Sequence, residues 1–141
     1  MKLKKTLKTI LIFFFMSSSL YANTNYFNEG KSLYEKKEFE KAKFKFEQDL
    51  IFNPKSEKAY LYLSKIFNVQ KKTNLEEQNL DSVILLNPKN EEAVFYLAKL
   101  KLEKSDFLES EKLNDRLLNF CKNYCEESKK LKIEIDNSLK K

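Results

Sequence analysis

The chain has 141 residues, with 27 lysines and arginines, 21 aspartates and glutamates, no histidine and a formal net charge of +6. That length suits one domain. The single glycine argues against a sheet protein with many tight turns and excludes a glycine-rich phosphate loop. The absence of histidine excludes every mechanism that needs an imidazole base or metal ligand.

The first 22 residues have the layout of a secretory signal peptide. Four lysines lie within the first eight residues, an apolar run follows at 10–16, and small residues lead to a cleavage point after Ala22. The run is shorter than the roughly 20 residues of a membrane-spanning helix, so an uncleaved anchor is the less favoured alternative. We therefore expect export, to a bacterial periplasm first and into the medium second, with no stable membrane insertion after cleavage.

Those four lysines carry most of the net charge, so the rest of the chain is almost balanced. General nucleic-acid binding needs a basic stripe on the surface. We therefore expect no nucleic-acid partner.

Similar residues recur every 34 positions along the rest of the chain. The Asn-Pro pairs at 53–54 and 87–88 have this spacing, and so do Leu63, Leu97 and Leu131. Within the first period, apolar residues recur at helical spacing before and after a polar stretch at 35–38. Each period is therefore predicted to form two helices.

Several residues predict where these helices begin and end. Each Asn-Pro pair is expected to stop a helix, because proline cannot donate a hydrogen bond and restricts the residue before it. Ser56 and Asn90 are predicted N-caps of the helices that follow. Thr73 and Glu76 have the spacing of a capping box for the second helix of the middle period.

This pattern resembles the tetratricopeptide repeat family, whose motif has an aromatic residue, Leu-Gly and Tyr in one helix, then an aromatic, a small residue and Phe in the next. Gly30, Ala42 and Phe46 occupy such positions in the first period. The resemblance implies three repeats and a terminal helix, over 23–56, 57–90, 91–124 and 125–141. The chain departs from the motif at Glu76, Lys101, Asn114 and Lys122.

The resemblance implies an all-α solenoid of helical hairpins with about seven helices. Three repeats are close to the minimum, because no single repeat can bury its own apolar face. The terminal helix is expected to cover the last exposed face, with Leu131 and Ile135 buried and Leu139 one turn beyond.

The resemblance also implies that the first helix of each repeat lines a concave groove that holds a partner segment. The family's groove positions correspond to Phe27, Lys31, Tyr34, Leu61, Lys65, Asn68, Phe95, Lys99 and Leu102. They predict a column of three lysines beside a column of Phe27, Leu61 and Phe95, suited to a segment with large apolar side chains and some acids. The alternative is that the lysines form an ordinary solvated face and that the phenylalanines belong partly to the core.

One subtype of the family clamps a C-terminal carboxylate with a lysine and an asparagine. Phe27 and Lys31 stand at the first such pair of positions, so we expect no clamp of that kind.

Cys121 and Cys125 are the two cysteines of the chain, and they flank the turn before the terminal helix. Cysteines of exported proteins are commonly oxidised, and so short a turn can bring two Cα atoms to disulfide distance. We predict a disulfide that fixes the terminal helix. Two free buried thiols are the main alternative, and a redox or metal role is less favoured because the chain lacks Cys-x-x-Cys and histidine.

The chain is expected to be a protein-interaction module and not an enzyme, with no cofactor and no metal. Its paired acids are adjacent in sequence and therefore point apart on a helix. A structural subunit of a cell-envelope assembly, held through its convex face or its ends, is the alternative function.

Overall fold

Seven α-helices follow one another in a computed structural model that describes residues 25–140. No strand occurs within these residues, so the predicted all-α fold and helix number are confirmed. The predicted signal peptide and its cleavage point lie outside the described residues. The helices are α1 Tyr26–Glu35, α2 Phe39–Phe52, α3 Glu57–Val69, α4 Thr73–Leu86, α5 Glu91–Glu103, α6 Phe107–Leu118 and α7 Cys125–Leu139.

Each helix packs mainly on its neighbours in the chain. The most extensive contacts join α1 to α2, α3 to α4 and α5 to α6, while α7 packs mainly on α6. The chain is therefore a row of helical hairpins closed by one further helix, as the 34-residue period predicts. No helix in the described part is long and apolar enough to cross a membrane.

The ends of the helices follow the predicted pattern in part. The helices α2 and α4 end just before their Asn-Pro pairs. The Asn90 side chain accepts a 2.9 Å hydrogen bond from the backbone N–H of Ala93 and so caps α5. Ser56 stands at the N-cap of α3, but its side chain makes no capping bond.

The predicted capping box at Thr73 is wrong. The N-cap of α4 is Lys72, and Thr73 already lies inside the helix. The turn before α4 is closed by backbone groups, since the N–H of Lys72 bonds to the carbonyl of Phe67 at 2.9 Å. The residue before it, Lys71, has a positive φ of 58°. The residue at the N-cap is a lysine, whose side chain has no hydrogen-bond acceptor and makes no capping bond.

The same left-handed residue recurs in every hairpin. Lys37, Lys71 and Ser105 lie 34 positions apart and have φ angles of 62°, 58° and 62°. In each case the N–H of the following residue bonds to a carbonyl five residues earlier. The three hairpins therefore turn with one backbone geometry although glycine occupies none of these positions.

The buried side chains of the core form two clusters. The first lies among α2 and α3 and includes Ala42, Phe46 and Phe67. The second extends from α4 to α7 and includes Leu131 and Ile135, which are 3% and 0% exposed. The terminal helix therefore buries the two residues predicted to cover the solenoid end.

The helices α3 and α5 both begin with a glutamate, and the carboxylate of each glutamate bonds to the turn that follows its hairpin. Glu57, the first residue of α3, accepts hydrogen bonds from the side-chain amides of Asn87 at 3.0 Å and Asn90 at 2.5 Å. Glu91, 34 residues later, accepts bonds from two consecutive backbone N–H groups in the turn before α7, at 2.7 and 3.0 Å. Equivalent residues thus tie successive hairpins together with charge-assisted hydrogen bonds.

Candidate groove for a partner segment

A pocket of about 260 Å³ opens where α1, α3, α4 and α5 meet. It brings together three residues that the sequence assigns to the groove and five that it does not. Its lining comprises Tyr34, Ser64, Lys65, Asn68, Val69, Glu76, Glu92 and Tyr96. The first helices of all three hairpins contribute, so the pocket lies on the surface where the resemblance implies the groove.

The three lysines of the predicted column differ in their surroundings. The Lys65 ammonium bonds to the Glu92 carboxylate at 2.8 Å and lies 5.0 Å from the centre of the Tyr62 ring. Lys31 has only a loose contact of 3.8 Å with Glu35. Lys99 is exposed and lines a smaller neighbouring pocket of about 60 Å³. The charge of the central lysine is therefore balanced within the protein, because its long side chain reaches an acid on the next hairpin.

The predicted apolar column is turned partly toward the core. The Phe27 ring packs 5.7 Å from the rings of Phe46 and Tyr62. Phe95, Leu61 and Leu102 are half-buried against the second core cluster. None of these four lines the 260 Å³ pocket. These side chains therefore belong at least in part to the core, which is the alternative stated above for the two phenylalanines.

Four tyrosines cluster around the groove, and of these only Tyr34 was predicted from the sequence; Tyr34 and Tyr96 line the pocket. Tyr34 and Tyr62 pack edge to face at 5.1 Å, and Tyr96 and Tyr124 do so at 6.5 Å. Tyr62 and Tyr96 are 34 residues apart, which was the available signal. Burial raises the pKa of Tyr34, while burial and the nearby Glu92 raise that of Tyr124, so both phenols stay neutral at physiological pH.

Glu76 lies at the bottom of the pocket, where the repeat motif has a small residue. It is only 4% exposed. One of its carboxylate oxygens accepts a 3.0 Å hydrogen bond from the Asn68 side-chain amide. Burial raises the pKa of Glu76, and Glu103 adds to that effect, whereas the Asn68 bond, Lys71 and Lys99 oppose it. The departure from the motif thus places an acid inside the groove.

Cys121 and Cys125 flank the turn that joins α6 to α7. Their Sγ atoms are 2.08 Å apart and their Cα atoms 5.3 Å apart. Beside them, backbone N–H groups of Lys122, Asn123 and Tyr124 hold the pKa of Glu91 below its ordinary value. Within residues 25–140, no group of three acids or cysteines is placed to hold a metal ion.

No protein-family model matches the chain, and no curated protein sequence matches it. Several solved structures do match the chain. The first TPR domain of Spaghetti (RPAP3), bound to the HSP90 peptide SRMEEVD, aligns with a TM-score of 0.75 at 15% identity, over 82% of this chain and 91% of that domain. The chain has the tetratricopeptide repeat fold.

Two further tetratricopeptide repeat structures agree. The type III secretion chaperone SycD of Yersinia enterocolitica, in complex with a peptide of the translocator YopD, has a TM-score of 0.73 at 14% identity, covering 86% of this chain and 97% of its own. The Sgt2 TPR domain from Aspergillus fumigatus has a TM-score of 0.71 at 14% identity, covering 89% and 87%. At these identities the likeness concerns the tetratricopeptide repeat fold itself, and function has to be argued from the groove.

Proposed function

We propose that this chain is an exported protein-interaction module that docks a segment of a partner protein in the groove lined by α1, α3 and α5. The observation that carries the proposal is the pocket bounded by Tyr34 and Tyr96 and opening between three successive hairpins. Tyrosine is enriched at protein interfaces, because its ring supplies contact area at a low cost in conformational entropy. A pocket of this kind receives side chains that project from an extended or helical segment.

Two of the similar structures support segment docking as the mode of binding. RPAP3 was solved with an HSP90 peptide, and SycD with a peptide of YopD. This groove differs from a lysine clamp for a terminal carboxylate, because Lys65 is already paired with Glu92. We therefore propose an internal segment of the partner as the occupant.

Export is the second part of the proposal, and the basic and apolar layout of residues 1–22 supports it. The test is the intact mass of the protein purified from its native cells. A mass that corresponds to a chain starting at Asn23 supports export with cleavage. A mass that includes residues 1–22 contradicts cleavage and favours an N-terminal anchor.

Catalysis forms no part of the proposal. The chain has no histidine. The acid that lines the pocket, Glu76, bonds to Asn68, and within residues 25–140 no nucleophile or second catalytic group lies in hydrogen-bond contact with it. This arrangement does not meet the geometric roles of an active site.

The docking proposal is tested with two matched substitutions in the full chain. Val69 is 51% exposed and lines the pocket, whereas Leu85 is 83% exposed and does not. Val69→Lys and Leu85→Lys each replace an exposed apolar side chain with a cation, so both should fold. A partner captured from a cell-envelope extract by the wild type and by Leu85→Lys, but not by Val69→Lys, supports docking in the groove.

The alternative function, a structural subunit of an envelope assembly, is favoured by apolar residues outside the groove. Ile51 is 75% exposed, and Leu85 stands 34 residues later at the same position of the next hairpin. Each has an exposed apolar neighbour, Phe52 or Leu86. Repeated exposed apolar residues are typical of contact surfaces. Loss of the partner with Leu85→Lys and its retention with Val69→Lys would overturn groove docking in favour of this role.

A further inference from the structure

The charges around the 260 Å³ pocket leave one acid without a balancing cation. Its charged lining residues are Lys65, Glu76 and Glu92. Lys65 and Glu92 neutralise each other through their 2.8 Å contact. Among the described residues 25–140, the Glu76 carboxylate receives a single hydrogen bond, from a neutral amide. When Glu76 is ionised, the lining formed by these residues therefore carries one net negative charge.

The residues beyond the pocket do not remove this charge. Lys99 and Glu103 line the smaller adjoining pocket together with Glu76, and their charges are opposite. Lys71 acts on Glu76 only at a distance. A buried carboxylate with one neutral donor is costly, and a cation that enters the pocket would lower that cost.

The walls of the pocket suit one kind of cation in particular. Tyr34 and Tyr96 contribute aromatic rings from α1 and α5. A guanidinium group stacks on such rings and donates hydrogen bonds in its own plane, whereas a lysine ammonium is a strongly hydrated point charge. Aromatic walls and a carboxylate floor thus complement an arginine side chain.

We propose that this pocket is a subsite for an arginine side chain of the docked segment, held by the Glu76 carboxylate between Tyr34 and Tyr96. The inference rests on the proposed docking function and gives the partner's chemistry at this position. It reverses the expectation from the lysine column, which favoured acids in the partner. The central lysine is satisfied by Glu92, and the acid that the repeat motif does not anticipate takes over recognition.

The test is an NMR titration of the full chain with N-acetyl-arginine amide and with its neutral isostere, N-acetyl-citrulline amide. The arginine probe should shift the amide signals of Asn68 and Val69 saturably. The citrulline probe should bind about tenfold more weakly or worse, because the charge on the donor is lost. Equal responses to the two probes would overturn the proposal.

Two substitutions locate the site. Glu76→Gln keeps the shape and can still accept from Asn68, so it should fold normally and lose about tenfold in affinity for the arginine probe. Glu134→Gln removes an exposed acid of α7 that lines neither pocket and should leave the affinity unchanged. Unchanged binding by Glu76→Gln, or an equal loss with Glu134→Gln, contradicts the assignment.

The experiments distinguish failure of the arginine subsite from failure of the docking proposal. If N-acetyl-glutamate amide binds better than the arginine probe, the subsite assignment fails while docking in the groove stands. If no probe binds, the arginine subsite is overturned, and the comparison of Val69→Lys with Leu85→Lys decides the docking function independently.

Discussion

Asn114 and Ser128 exchange two hydrogen bonds in the buried contact between α6 and α7. The Asn114 side-chain amide donates to the backbone carbonyl of Ser128 at 3.0 Å, and the Ser128 hydroxyl donates to the Asn114 carbonyl oxygen at 2.6 Å. Both side chains are completely buried. Asn114 is one of the departures from the repeat motif, and it forms the polar contact that holds the terminal helix at one position along α6.

Replacing Asn114 with alanine should destabilise the protein by about 2–3 kcal/mol, because a buried carbonyl and a buried hydroxyl both lose their partner. Urea denaturation measures the loss, and hydrogen exchange should show α7 opening first. The control is Asn137→Ala on the exposed face of α7, which should change stability by less than about 0.5 kcal/mol. Equal effects of the two substitutions would show that the exchange of hydrogen bonds contributes nothing.

Gly30 should not tolerate a methyl group. A Cβ atom at this position would lie 2.8 Å from the Phe46 ring, which is completely buried and cannot move aside. Gly30→Ala should therefore destabilise the protein by about 1–3 kcal/mol, although alanine favours the helix by roughly 1 kcal/mol. Thermal unfolding measures this effect. Ser32→Ala, at an exposed position of the same helix, is the control and should be neutral or slightly stabilising. A stabilised Gly30→Ala variant would contradict the close approach.

Lys71→Gly should stabilise the protein. Lys71 has a φ of 58°, a conformation that costs an L-residue about 1–2 kcal/mol and glycine almost nothing. After the added entropy of glycine in the unfolded chain, the expected gain is about 0.5–1 kcal/mol in chemical denaturation. The adjacent Lys72 has a φ of −93°, so Lys72→Gly should destabilise. The same sign for both substitutions would refute the argument from backbone conformation.

The stability difference between Glu76→Gln and the wild type should depend on pH. Burial raises the pKa of Glu76 in the folded protein above its ordinary value of 4.5, so the folded state binds the proton more tightly than the unfolded state. The contribution of Glu76 to the free energy of unfolding of the wild type is therefore largest below pH 4.5. It decreases as the pH rises through the pKa that Glu76 has in the folded protein. Glutamine stays neutral, and the variant should be more stable than the wild type at pH 7.

Urea denaturation of the two proteins between pH 4 and pH 8 measures this difference, which should shrink toward low pH. Lys71, Lys99 and Glu103 also act on Glu76, and their charges are common to both proteins. Two stability curves that stay parallel over the whole range would show that Glu76 titrates normally.

The cysteine pair should resist thiol reagents until a reductant is added. Cys121→Ser combined with Cys125→Ser should cost about 1–2 kcal/mol, the low end for a disulfide, because the closed loop is short. Thiol labelling followed by mass spectrometry is the measurement. The helix α7 should remain docked in the double variant, because Glu91 still holds the preceding turn and Asn114 still holds Ser128. Two reactive thiols in the untreated protein would rule out the bridge.

Contacts between hairpins account for most differences between the predicted and the observed groove. Lys65 finds Glu92 on the next hairpin, 27 residues later, and no spacing rule within one helix anticipates that ion pair. Tyr34 and Tyr96 line one pocket although 62 residues separate them in the sequence. The capping prediction at Thr73 failed for a local reason, because the N-cap falls one residue earlier, on Lys72, whose side chain has no acceptor.

The sequence by itself determined the seven helices, the ends of α2 and α4 just before Asn53 and Asn87, and the burial of Leu131 and Ile135 in the terminal helix. These features depend on local backbone preference and on the spacing of apolar residues, and both are properties of short segments. Only the tertiary structure decided which groove charges stay unbalanced and which aromatic rings reach the surface. Those properties depend on side chains from three hairpins meeting in one space, where a contact such as the ion pair of Lys65 with Glu92 changes the charge that the sequence alone predicts.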